Sequence, residues 1–323
     1  MPDASLAVSR PEAPASTVET RSSYLDQTVI GYLLYGVGAV TAFLAVALAL
    51  SDAAAALHSS LLAVGLLVAG VSGDRLDMVV GSAKAQSVAY VLLGLAIVCL
   101  VTAPAFLVTL TGAALVGLGT GLLLSRINRT LTRGGGSLAR VRMGRAALVA
   151  MIGSLSVPVA LAVGESSGLG WQLAFVMAGV LVAAAVLLSR GRRWPATRPV
   201  AEHGRLTQPF WLTWWLVVLV VSVEFSIVFW ASTLVERQVG VSLAEATLVA
   251  AAFYAGMAST RVALSLRVVG DRDPMRLMRL GLVVALVGSL LAWTASSVEL
   301  AAVGIFLGGL GTGFQYPLAV TVA

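Results

Sequence analysis

Charged residues fall in short clusters along this chain, and long apolar runs separate them. Between Asp26 and Asp52 lie 25 uncharged residues. A helix crosses the hydrocarbon core of a bilayer with about 20 apolar residues, so this run suffices for one crossing. Residues 53–73 form a second run, and residues 85–125 hold no charge at all. As helix, those 41 residues rise about 60 Å, twice the core thickness, so the run must fold back on itself. Pro104, in Thr-Ala-Pro-Ala, marks the turn. Residues 146–189 carry only Glu165, beside Ser-Ser-Gly-Leu-Gly, and read as two spans that meet there. Runs at about 209–233, 244–266, 279–297 and 299–320 bring the total to ten. Such runs are far too long for barrel strands, so the pattern predicts an all-α, polytopic membrane protein.

Composition agrees. Hydrophobic residues make up 59% of the 323, and charged residues only 11%. A soluble domain carries about 25% charged residues. So few charges cannot cover a globule of this size, which excludes a soluble enzyme, a nucleic-acid-binding protein and a disordered chain. Twenty of the 21 basic residues are Arg, a bias that points to a GC-rich bacterial genome. Residues 1–24 are polar, with three prolines and no apolar h-region of a signal peptide. They read as a flexible cytoplasmic tail.

The placement of charge sets the orientation. With the N-terminus inside, the inner loops 74–84, 126–145, 190–208 and 267–278, with Arg279 at the edge of the next span, carry 17 basic residues. The outer loops carry only Arg237, against Asp52, Glu165, Glu236, Glu245 and Glu299. That asymmetry places the N-terminus in the cytoplasm of a plasma-membrane protein.

Known reactive motifs are missing. The two histidines, His58 and His203, lie far apart and the single cysteine, Cys99, sits in an apolar run, so no metal or haem spacing exists and no cofactor is implied. Gly164-Glu165-Ser166-Ser167-Gly168 matches Gly-x-Ser-x-Gly, but it joins two spans, whereas that motif needs a strand-to-helix elbow. Gly-rich tracts here lack the Lys-Ser/Thr of a phosphate loop and read as small-residue helix contacts.

An internal repeat organises the chain. Gly117-Leu118-Gly119-Thr120-Gly121 recurs as Gly309-Leu310-Gly311-Thr312-Gly313, at an offset of 192. The same offset, within one, maps Gly65 onto Gly256 and Arg75 onto Arg267. Repeats are a hallmark of secondary transporters. Six spans precede the basic 190–208 linker, so the first half is 25–189 and the second begins at 209.

Six helices, a basic linker and a second set of helices resemble the major facilitator superfamily. The resemblance covers residue 25 to the end. Gly70-Val71-Ser72-Gly73-Asp74-Arg75-Leu76-Asp77 matches that family's loop between spans two and three in Gly, Asp and Arg, with Asp77 where a second Gly is usual. Gly256 through Arg261 is the second-half counterpart. The resemblance implies twelve helices. The offset puts the end of the second half about 58 residues beyond Ala323, so residues 209–323 are expected to be an incomplete half of four helices, with a native ten-helix protein as the alternative.

Glu224 is the most informative single residue. It lies mid-span, where a charged carboxylate costs about 2.5–3.5 kcal/mol on insertion scales. It is therefore expected to be protonated, paired or facing water, as a substrate contact or proton carrier in a central cavity; a Glu bonded to a neighbouring helix is the alternative. Tyr32, Tyr35, Trp230, Gln315 and Tyr316 lie on spans one, seven and ten, which line the cavity in the resembled family. They could contact a solute or, for Tyr32 and Trp230, anchor the interface. Asp26 reads as a solvated charge before span one. Gly70, Asp74, Arg75 and Arg261 are cytoplasmic gate residues by resemblance, with Arg126 and Arg129 as ion-pair partners for Asp74. The resemblance implies a monomeric secondary transporter of a small solute, coupled to protons, with drug or metabolite export as the family habit. A membrane-embedded enzyme and the permease subunit of an ATP-driven importer remain as alternatives.

Overall fold

The computed structural model describes residues 16–102, 105–133, 136–189, 208–265, 273–316 and 318. Ten helices are described, α1 Thr17–Ala47, α2 Asp52–Val80, α3 Ser82–Thr102, α4 Phe106–Thr132, α5 Gly136–Ser166, α6 Gln172–Ser189, α7 Gln208–Val239, α8 Leu243–Ser265, α9 Pro274–Trp293 and α10 Val298–Thr312. Nine are long and apolar enough to span a bilayer, and α10 is a shorter apolar helix. Pro104 and the 190–207 part of the linker lie outside the described residues.

Local chemistry places the helix ends. Ser16 and Glu19 form a reciprocal capping box, so α1 begins at Thr17, inside the stretch the sequence assigned to a tail. Ser51 caps α2 and Ser297 caps α10, each by accepting a backbone N–H three residues on. Gly81, at φ 81°, ends α2 and lets α3 follow at once. Asp74 and Arg75 are therefore on a helix and not, as the sequence suggested, in a loop.

The repeat is physical. In the first half α4 packs on α2 and α3; in the second α10 packs on α8 and α9. A Cβ added at Gly117 would lie 2.1 Å from Leu62 O, and one at Gly65 would lie 2.4 Å from Ala114 O. At the repeated crossing, a Cβ at Gly309 would lie 2.0 Å from Phe253 O, and one at Gly256 would lie 2.2 Å from Phe306 O. Both pairs of helices touch backbone to backbone, which only glycine allows. Gly309→Ala is expected to destabilise by about 1–3 kcal/mol through overpacking, read as a lower melting temperature. Gly70→Ala should not, because a Cβ there meets nothing within 4 Å.

Across the halves, α1 crosses α7 and α5 packs on α8. Helix α1 is buried over 83% of its apolar window, and α7 over 33%. The difference arises because α5 lies along α1, and no described helix takes that place against α7. Trp211, Trp214, Trp215 and Leu219 are exposed there.

Candidate functional site

Glu224 sits midway along α7 and is 4% exposed. The Tyr35 hydroxyl, from α1, donates to its Oε1. The bond joins the two halves at the middle of both helices. Tyr35 is fixed by aromatic neighbours: its ring stacks on Phe225 with centroids 5.6 Å apart and meets the edge of Tyr254, on α8, at 5.5 Å. The buried carboxyl thus lies in an aromatic nest built from three helices. Arg261, also on α8, acts electrostatically on Glu224 and on Tyr35. Tyr316, beyond α10, lies within electrostatic reach of both Arg261 and Glu224. Of the residues proposed from sequence for this cavity, Glu224, Tyr35 and Tyr316 share one neighbourhood.

The others are held elsewhere. Tyr32 is buried and donates to Ala174 O at 2.8 Å, tying α1 to α6 within one half. Gln315 donates to Met278 O at 2.9 Å and Gly311 O at 3.3 Å, tying the end of α10 to α9. Both satisfy backbone acceptors. Trp230 lies six residues from Glu224, on a different face of α7, and lines a groove of about 440 Å³ with Thr233, Leu234, Arg237 and Gln238.

The charged cluster differs from the expectation in its centre and its reach. Arg129 Nη1 lies 2.5 Å from Asp74 Oδ1, as the sequence suggested. Asp77 holds the cluster together: it accepts from Arg126 at 2.5 Å and from Arg129 at 2.6 Å. The side chains of Asp77 and Arg126 are 4% and 5% exposed. Both helices, α2 and α4, belong to the first half. These pairs therefore rivet one half and do not bridge the cleft. Gly70 and Arg75 are exposed, with no described contact to the cluster, and Arg261, on α8, acts electrostatically on Glu224.

Asp26 is not a solvated charge. It is 1% exposed within α1, where Tyr90 Oη donates to Oδ1 at 2.5 Å and Gln86 Nε2 approaches Oδ2 at 3.4 Å. It also acts on Arg126. The sequence placed it just before an apolar run; the earlier helix start made it part of that helix.

One ion pair does cross the halves. Arg237, at the end of α7, makes a two-pronged bond to Asp52, at the start of α2, at 2.8 and 2.7 Å. The two residues were visible in the sequence only as opposite charges on outer loops. Close by in sequence, a Cβ at Gly38 of α1 would lie 2.6 Å from Val228 of α7. These contacts join the two halves on the side that the charge asymmetry assigns to the exterior. With Asp52 and Arg237 both replaced by Cys, and Cys99 by Ala, a bifunctional thiol reagent is expected to stop transport, and a cleavable one to let reductant restore it. Unimpaired transport after complete cross-linking would show that the two helices need not separate.

Gly164–Gly168 spans the end of α5 and a turn in which Gly168 and Gly170 have φ of 76° and 74°, so Ser166 is at a helix end with no strand before it. Among the described residues no group of three His, Cys, Asp or Glu could hold a metal.

No family model and no curated protein matches this sequence. Solved structures do. A mutant of the nucleoside transporter NupG aligns over 94% of this chain and 82% of its own, with 11% identity and a TM-score of 0.72. A bacterial homolog to the human lysosomal transporter Spinster, inward-facing and occupied, aligns over 94% of this chain and 72% of its own, with 17% identity and a TM-score of 0.59. Its inward-facing, unoccupied structure aligns over 93% and 74%, with 16% identity and a TM-score of 0.62. These neighbours are transporters, and at such identities the likeness is one of fold. With its two sets of helices related by repeat and packed across α1–α7 and α5–α8, the chain is a multi-pass membrane protein with the major facilitator fold.

Proposed function

We propose that this chain is a secondary transporter that moves a small solute by alternating access and couples that movement to protons through Glu224. The observation that carries this reading is the buried Glu224 carboxyl, bonded to Tyr35 of the opposite half at the middle of the bundle. An intramembrane carboxyl that faces the interface between two halves is a functional candidate by default. It can exchange a proton only when one face opens to it, which is what alternating access requires. Tyr35 reports the state of the carboxyl to the other half, because making or losing that bond changes the contact between α1 and α7.

The N-terminus and the Asp74–Asp77 cluster lie on the cytoplasmic side in this reading, and Asp52–Arg237 is the outer closure. The membrane is the plasma membrane of a bacterium, and the working unit is the monomer. Export or import turns on whether solute and proton exclude each other at the site or enter together.

The test is solute flux in proteoliposomes under an imposed pH gradient, scanned over a solute panel. Flux that is driven by the gradient, collapses with a protonophore and needs no added ATPase supports the reading. Flux that depends on an ATPase partner would assign the chain to an ATP-driven importer instead.

A further inference from the structure

Arg261 carries a buried donor that the described contacts leave unmade. It lies seven residues beyond Tyr254 on α8, two turns along the same helix face. Its Nε–H is buried and has no hydrogen-bond partner. Its Nη1 reaches Ala147 O of α5 at 3.4 Å, longer than the usual 2.7–3.2 Å. A buried donor of a cation left unmade is costly. Arginine presents its Nε–H and an Nη–H as a planar fork that matches an oxyanion.

We propose that Arg261 is the oxyanion-binding residue of a solute site between the two halves, and that the solute is an aromatic or apolar monocarboxylate. Its carboxylate takes the Nε–H and an adjoining Nη–H, and its body lies against Tyr35, Phe225 and Tyr254. The proposal rests on the reading of Glu224 as the proton carrier. Among the described residues, the titratable groups that interact electrostatically with Arg261 are Glu224 on α7, Tyr35 on α1 and Tyr316 beyond α10, and Tyr254 lies seven residues back on its own helix. On α5, beside Ala147, Arg145 is exposed and Arg142 lies 3.4 Å from Arg133 O, so near Ala147 that helix adds positive charge only; its one acid, Glu165, lies at the far end.

Charge then decides the stoichiometry. An ionised Glu224 is the counter-charge of Arg261 when no solute is bound. A bound carboxylate takes over that role, and a second negative charge at Glu224 would stand uncompensated. Solute and proton therefore enter together, one for one, and no net charge moves. This makes the transporter a symporter, in contrast to the exchange that export against protons requires. A phosphate monoester, at about −1.5 to −2 charge near neutral pH, would leave charge unbalanced.

The experiment measures binding to the purified full chain in nanodiscs by calorimetry, with matched probes: benzoate, benzamide and benzylamine, then indole-3-acetate, indole-3-acetamide and tryptamine. The carboxylates are expected to bind, more tightly as pH falls from about 8 to about 6, and the amides and amines are not. Arg261→Gln should weaken carboxylate binding at least about tenfold, the loss of one charge-assisted hydrogen bond. Arg261→Lys, which keeps the charge but not the fork, should fall between, and it serves if the Gln variant does not fold. Arg279→Gln, at an exposed position on α9, should bind as the parent does. Failure of both carboxylates to bind, equal binding of the amides or amines, or full affinity in both Arg261 variants would overturn the proposal. Glu224→Gln separates it from the transport reading. Carboxylate binding that becomes pH-independent in that variant supports both; binding that keeps its pH dependence leaves Arg261 assigned and removes Glu224 as the proton carrier. Proton-driven flux of other solutes, with no carboxylate binding, leaves Glu224 assigned and removes this site.

Discussion

Glu224→Gln is expected to reduce proton-coupled flux to the level of empty liposomes while the protein still inserts and folds. The amide has nearly the shape of the carboxylic acid and keeps a carbonyl oxygen for the Tyr35 hydroxyl, which donates to Oε1. What it loses is the exchangeable proton. The packing against Tyr35, Phe225 and Tyr254 is untouched. Any loss of stability should stay near the ~1 kcal/mol of one hydrogen bond, a shift of a few degrees in melting temperature. The measurement is solute-driven proton movement, followed with a pH-sensitive dye inside the liposomes. Full proton-coupled uptake by this variant would end the assignment. The companion variant Tyr35→Phe removes the donor and leaves the carboxyl. It should keep proton coupling at a reduced rate, because it weakens the link between the halves without removing the carrier.

The second large effect is on stability. Asp77→Asn is expected to cost about 3–5 kcal/mol, the usual price of leaving one member of a buried ion pair alone. Asp77 accepts from two guanidiniums, and Arg126 is as buried as Asp77 itself. The neutral amide would remove the carboxylate that pairs directly with the buried Arg126 guanidinium between α2 and α4. Asp74→Asn is the internal comparison. Its side chain is 60% exposed and its partner Arg129 36%, so it should cost about 0–1 kcal/mol. Thermal melting in detergent should therefore separate the two by on the order of ten degrees. Equal melting of the two variants would mean that the cluster is solvated and that Asp77 is not its centre. Because the pairs lie within one half, both variants should leave the cross-halves bond at Glu224 in place.

Much of the architecture was legible in the order of the residues. Apolar runs count spans because every backbone polar group in hydrocarbon must be satisfied within its own helix. The repeat was legible because close helix crossings demand glycine, and Gly117 and Gly309 meet that demand at the same place in each half. Glu224 stood out because a carboxyl in a long apolar run has few reasons to be there. The partners were less legible. Asp77 looked like a departure from a familiar pattern, and only its helical position, three residues and nearly one turn from Asp74, shows that both acids face α4. Phe225 could have been noticed as the neighbour of Glu224 in sequence. Tyr254 gave no signal beyond being a tyrosine two residues before Gly256.

The sequence by itself determined the membrane class, the ten helices, the repeat and the presence of a buried acid. These follow from local length, hydropathy and the cost of charge in a bilayer, which depend on no other segment. Only the tertiary structure decided which polar groups meet. It gave Glu224 to Tyr35, Arg126 to Asp77 and Arg237 to Asp52, and it turned Tyr32 and Gln315 toward backbone carbonyls. Partner choice depends on helix rotation and on which crossings are close, and residues up to 189 positions apart settle it together.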